Sequence, residues 1–260
     1  MKNRVTLLIL INTLAFTGVL WVNYLANAVP LNGKTTGALS NQYPNLFTPA
    51  GLTFSIWGVI YLWLLVFSGV CMWGLFSSKI SDKIASAVQQ INLLFALSSL
   101  LNIAWIFAWH WEQLPLSGVI MIGLLASLVM LNRQLHRPNG AVPAWIKIPF
   151  GIYQGWITVA LIANITAWLV ALGWTGGGIS EGFWAVLMIG AGIIIALVFW
   201  TKQRNLGHVL AVLWALTGIY IKRNGAPEAG SAMVAWSAMI GIGMLAIIVS
   251  YSLWIKRTTV

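Results

Sequence analysis

Acidic residues are nearly missing from this chain. Four Asp and Glu stand among 260 residues, against fourteen Lys and Arg. Asp82, Glu112, Glu181 and Glu228 all fall outside the long apolar runs. No run therefore carries a carboxylate that could relay protons or hold a cation. No lysine lies within a run either, which excludes a retinal-type Schiff base. Cysteine is reduced to Cys71, so no internal disulfide is encoded, and the thiol reads as a small packing residue. The three histidines, His110, His136 and His208, are not spaced as metal ligands, and His110 beside Glu112 reads as an exposed interfacial pair. No nucleophile–base pair and no glycine-rich phosphate motif appears. These shortages leave binding and structural roles better supported than catalysis.

Apolar surface is what the chain has in excess, with 60% of residues hydrophobic and 7% charged. No soluble fold of this length hides that much. Runs near or above the roughly 20 residues that cross a bilayer recur at about 5–25, 52–75, 84–109, 116–135, 148–172, 183–200, 207–221 and 232–253. The pattern predicts an all-α polytopic transmembrane helix bundle of about eight helices, the seventh being the shortest. The alternation of a membrane β-barrel is absent.

Charge distribution gives an orientation. With the N terminus inside, the inner segments hold eleven basic residues, Lys79, Arg133, Arg137 and Lys147 among them, and the outer loops hold Lys34, Lys222 and Arg223. That bias predicts both termini on the cytoplasmic side. The basic residues serve orientation and lipid headgroups; no long basic patch with interleaved aromatics marks a nucleic-acid partner. The start of the chain, ending in Ala26-Asn27-Ala28, resembles a signal-peptidase site, but its apolar run exceeds a signal core and is expected to remain as a helix. The lack of an Arg- and Ser-rich leader favours a bacterial cytoplasmic membrane over an organelle. Leu216, Tyr220 and Lys222 satisfy a loose pattern proposed for cholesterol contact, one that is frequent by chance.

Connections are mostly short. The exception is "NAVPLNGKTTGALSNQYPNLFTPAG", after the first span, a length typical of a functional lid. Pro138 and Pro143 separate the fourth and fifth spans, and the glycine-rich stretch 173–182 divides a first part, 1–172, from a second, 173–260.

Three spans share a pattern. The second offers Phe54, Trp57 and Tyr61; the third Asn102, Trp105 and Trp109; the fifth Tyr153, Trp156, Ala160 and Asn164. Each set keeps to one helix face. An amide in hydrocarbon must find partners, so Asn102 and Asn164 are expected to face the interior, either as interhelical glue or at the edge of a cavity. Aromatic walls with a few convergent polar groups describe a small-molecule site. Trp21, Trp111, Trp145, Trp174, Trp200 and Trp254 fall near the membrane surfaces instead and read as anchors.

With these residues in place, the sequence resembles the TspO/MBR family, the tryptophan-rich sensory proteins related to the mitochondrial translocator protein. "TPAGLTFSIWGVIY" supplies Pro49, Trp57 and Tyr61 of the family's second helix. Leu101, Asn102 and Trp105 match the Leu-Asn-x-x-Trp of the third. Tyr153, Trp156, Ala160 and Asn164 match the fifth. The resemblance covers roughly residues 1–172. Departures fall at Thr48, Gly51, Ser55, Ser98 and Ile152, in the ligand-facing region, and the last three spans have no counterpart in the five-helix family. The resemblance implies a five-helix bundle, a homodimer in many members, and a pocket beneath the first loop for a flat hydrophobic ligand. That ligand is a tetrapyrrole such as protoporphyrin or haem, or a sterol; no cofactor is required. On this reading Pro49, Phe54, Trp57, Tyr61, Asn102, Trp105, Tyr153, Trp156, Ala160 and Asn164 line the site. A transporter is the alternative, although no inverted repeat supports it. An assembly subunit whose aromatic faces merely pack is another, and an enzyme acting on the bound ligand is the least supported.

Overall fold

The computed structural model describes residues 2–77, 80–137 and 142–258. Lys79 and Pro138 lie outside the described residues. The described residues are helical and contain no strand. Ten α-helices run Lys2–Ala28 (α1), Thr36–Asn41 (α2), Ile56–Phe76 (α3), Asp82–Ile91 (α4), Leu94–His110 (α5), Leu114–Leu135 (α6), Ala144–Ala171 (α7), Glu181–Gln203 (α8), Leu206–Arg223 (α9) and Ser231–Thr258 (α10). Six of these helical segments are long and apolar enough to cross a membrane, or seven if the bent α4–α5 pair is one span. The remaining expected span is α9, whose 18 residues close on Lys222 and Arg223.

The expected third span, 84–109, is broken. α4 and α5 meet at 53° across Asn92 and Leu93. Asn92 has φ 50° and ψ −135°, a backbone that cannot continue the helix. A break exposes a carbonyl and an amide that hydrocarbon cannot satisfy. Asn12 of α1 answers both: its Nδ2 donates to the Asn92 carbonyl at 2.8 Å and its Oδ1 accepts from Ala96 N–H at 2.8 Å. α4 itself is amphipathic and starts from Ser81, whose hydroxyl accepts from Ile84 N–H. α1 runs through Ala26-Asn27-Ala28 without interruption, and its Phe16 packs 5.4 Å from the Phe95 ring in the core. Cys71 is buried in the same core.

α7 is the centre of the molecule, buried at every position from 149 to 159. One face meets α3 and α5 through aromatic rings. The other meets α9 through small residues. Gly151 and Gly155 of α7, four apart, oppose Gly207 and Ala211 of α9, also four apart. A Cβ on Gly155 would lie 2.6 Å from the His208 carbonyl oxygen and 2.8 Å from the Ala211 Cβ. Close backbone approach of this kind drives helix association where water supplies no hydrophobic force.

α9 also fastens the segment before α3. Its Gly218 carbonyl accepts from Ala50 N–H at 3.0 Å, and Trp214 Nε1 donates to the Thr53 carbonyl at 2.9 Å. Buried Arg223 donates from Nε to the Leu46 carbonyl at 3.1 Å and from Nη2 to that of Asn45 at 2.7 Å. Leu216, part of the loose sterol pattern, is buried among these helices and does not face lipid.

Candidate functional site

Trp57 stands in the middle of the aromatic cluster. Its ring stacks on Tyr61 at 5.3 Å and on Trp105 at 6.1 Å, and meets Tyr153 and Trp156 nearly edge-on, each at 6.1 Å. Phe54 stands edge-on to Trp156 at 6.0 Å, and Trp109 continues the stack from Trp105 at 6.3 Å. These are the spacings at which offset and T-shaped ring pairs gain beyond area burial. Three helices thus bring their stripes together. Phe54 does so from a tighter turn than expected, because Gly51–Ser55 is a 3-10 segment and the α-helix starts at Ile56.

A cavity of about 50 Å³ opens against one side of the Trp57 ring. Pro49, Phe54, Trp105, Trp156, Ala160 and Asn164 bound it with Trp57, so seven of the ten expected site residues are its walls. A second void, about 390 Å³, lies between α1 and α3. Phe54, Trp57 and Trp105 wall it as well, joined by Tyr61 and by Asn23, Tyr24 and Asn27 of α1. Trp57 is therefore shared between a small cavity and a roomier one.

Asn102 and Tyr153 line neither void. Both are buried behind the rings: Asn23 Nδ2 donates to Asn102 Oδ1 at 3.2 Å, and Asn102 Nδ2 donates to the Tyr153 hydroxyl at 2.9 Å. This relay fixes the Tyr153 ring against Trp57. Asn164 differs. Its Oδ1 accepts from Ser117 Oγ at 3.1 Å, and its Nδ2 has no partner among the described residues. Trp105 Nε1 and Trp156 Nε1 are likewise buried and unpartnered there. Three walls of the small cavity thus carry buried donors without partners, a costly state unless an acceptor arrives.

The segment after α1 folds over this end of the bundle. Asn32 Nδ2 donates to the His110 carbonyl at 2.9 Å, and Trp109 Nε1 donates to the Thr36 carbonyl at 3.4 Å. His110 is buried and does not pair with Glu112, contrary to expectation. Its ring nitrogens meet the Leu31 carbonyl at 3.0 Å and the Thr36 hydroxyl at 3.1 Å. Glu112 instead binds Lys34 Nζ at 2.7 Å and accepts from the Tyr43 hydroxyl at 2.9 Å. Glu112, just past the C-cap of α5, has φ 54°, a position that favours glycine. The clasp accounts for a carboxylate there.

The Lys34 bond first, and the Tyr43 bond second, hold the Glu112 carboxyl below its usual range. Burial and the Glu112 bond push the Tyr43 hydroxyl up to about 12. A depressed acid stabilises above its unfolded pKa, so the clasp is complete at neutral pH and is lost only as pH falls through the lowered Glu112 value. An exposed pair of this kind contributes about 0.2–1 kcal/mol. Trypsin is accordingly expected to cut after Lys34 about 1.5- to 5-fold faster in Glu112→Gln at pH 7. Equal cutting rates would mean that the clasp does not hold the segment.

No group of three or more His, Cys, Asp or Glu is placed to hold a metal among the described residues. Asn23 and Asn27 were not among the expected site residues. Their signal was present, since Leu20, Asn23, Tyr24 and Asn27 recur at i, i+3, i+4 and i+7. A family model described as TSPO-like protein matches residues 9–251. No curated protein and no solved structure matches the chain.

Proposed function

The chain belongs to the TSPO-like protein family, and we propose that it binds a flat hydrophobic ligand of the tetrapyrrole kind among the rings around Trp57. The observation that carries this reading is the set of buried donors at Trp105, Trp156 and Asn164, left without acceptors beside an aromatic cavity. A ligand with carbonyl or carboxylate oxygens and a broad π-face answers both features: the rings stack on its face and the donors meet its edge.

The small cavity is far below the roughly 300–1,000 Å³ of ordinary ligand sites. Rotation of the Trp57 ring would join it to the roomier void between α1 and α3. Entry then runs past Tyr24 and Asn27, beneath the segment held by Glu112. The asymmetry of basic residues supports placing the mouth on the side away from the cytoplasm.

Titration of the purified protein with protoporphyrin IX, followed by intrinsic fluorescence, tests the proposal. Saturable quenching is expected, weakened about tenfold by Trp156→Leu through loss of a stacking wall and a donor. Asn102→Ala is expected to weaken it by a similar factor, because Tyr153 loses its tether. Saturation that is unchanged in both folded variants would remove the site from this cluster.

A further inference from the structure

A larger cavity, about 500 Å³, lies away from the Trp57 cluster, between the end of α7 and the start of α8. Its volume falls within the range of ordinary ligand sites. Ile165 and Leu169 of α7 and Met188 of α8 form apolar walls. The floor is the segment Leu46 and Phe47, both buried, which Arg223 fastens from behind.

The rim is aromatic and acidic. Trp174 and Trp184 meet edge-to-face at 4.9 Å. Trp184 Nε1 donates to the Gly176 carbonyl at 2.8 Å, which engages that indole's only donor. Gly176 is needed there, since its φ is 83° and a Cβ would press on Trp184 at 3.1 Å. Glu181, the first residue of α8, completes the lining and makes no ion pair among the described residues. Arg223 of α9, outside the lining, is a cation that Glu181 attracts without forming an ion pair. Arg223 is engaged by the Asn45 and Leu46 carbonyls and lies 3.9 Å from Glu228.

We propose that this cavity binds an amphiphilic cation, with an apolar body between α7 and α8 and a charged head held by Glu181 and the Trp174–Trp184 rings. A carboxylate beside aromatic faces is the recognition chemistry of ammonium and related onium groups. Two sources share it: a membrane lipid with an amine-bearing headgroup, and a free lipophilic cation. The site is independent of the Trp57 cluster.

Tetraphenylphosphonium and tetraphenylborate have the same shape and opposite charge, which makes them the probes. Equilibrium dialysis in an uncharged detergent is expected to show saturable uptake of the phosphonium and none of the borate. Glu181→Gln should weaken phosphonium binding about tenfold, as loss of one opposite charge at short range in a partly screened site implies. Met188→Trp, which narrows the apolar space between α7 and α8, should weaken it as well. Trp57→Ala should leave it unchanged, which separates failure here from failure of the tetrapyrrole site. Mass spectrometry of the purified protein distinguishes the sources. A retained amine-headed lipid displaced by phosphonium assigns a lipid, and phosphonium binding without a retained lipid assigns a free cation. Equal uptake of phosphonium and borate, or full affinity in Glu181→Gln, would overturn the proposal.

Discussion

Gly207→Leu is expected to unfold the α7–α9 interface and lower the melting temperature by on the order of 6–12 °C. A Cβ at Gly207 would overlap the Ile148 carbonyl oxygen and come within 2.8 Å of Ile152 N and 2.9 Å of Gly151 Cα. All three obstacles are backbone. A side chain can rotate away from an intruder, but a helix backbone can only translate. Overpacking against side chains costs about 1–3 kcal/mol, and here no side chain can give, so roughly 3 kcal/mol or more is at stake. For a chain of this length each kcal/mol moves the melting temperature by about 2–4 °C. Gly190→Ala is the control, since an added Cβ at that position of α8 meets nothing within 4 Å. Thermal unfolding in one detergent compares the two. If Gly207→Leu melts with the wild type, the glycine contacts do not hold α9 in place.

Arg223→Met is expected to release the segment 45–50 while the helices stay folded. The substitution keeps much of the side-chain length and removes the donors to the Asn45 and Leu46 carbonyls. Each unpaired buried acceptor costs about 1–3 kcal/mol, so the segment should open at least about thirtyfold more often. The native thiol is buried, which allows a reporter to be placed. In a Leu46→Cys background a maleimide should label slowly, and adding Arg223→Met should raise the rate by about that factor. No acceleration would mean that the guanidinium is not the fastener. The result bears on both cavities, because Leu46 floors one and Pro49 walls the other.

Periodicity made the aromatic cluster legible. Trp57, Trp105 and Trp156 repeat with polar partners at helical spacing, and a face shared by a ring and an amide has few resting places in lipid except the interior. The same logic could not separate Asn102 from Asn164. Both amides are buried, yet one braces Tyr153 and the other borders the cavity, and that difference depends on a third residue from another helix, Asn23 or Ser117. The break at Asn92 was hidden for a similar reason. Apolar residues on both sides read as one run, and the amide that makes the break tolerable comes from Asn12, eighty positions away. His110 was misjudged because its partners, Leu31 and Thr36, lie in a segment whose path the sequence does not reveal. The glycine contacts left a clearer trace: Gly151 and Gly155 sit four apart in a span that also carries the aromatic stripe. That spacing marks a second packed face on the same helix.

A helix packed on every side has no slack to share out. From residue 149 to 159, α7 presents Tyr153 and Trp156 to the rings and Gly151 and Gly155 to α9. It behaves as a party wall, with one neighbour's furniture bolted to masonry that the other neighbour's house holds upright. The tolerance with which the Trp57 cluster is assembled is therefore set on the far side, where backbone meets backbone and nothing can yield. The last helices act as the ground on which the aromatic stripe stands, although none of their residues lines the Trp57 cavities.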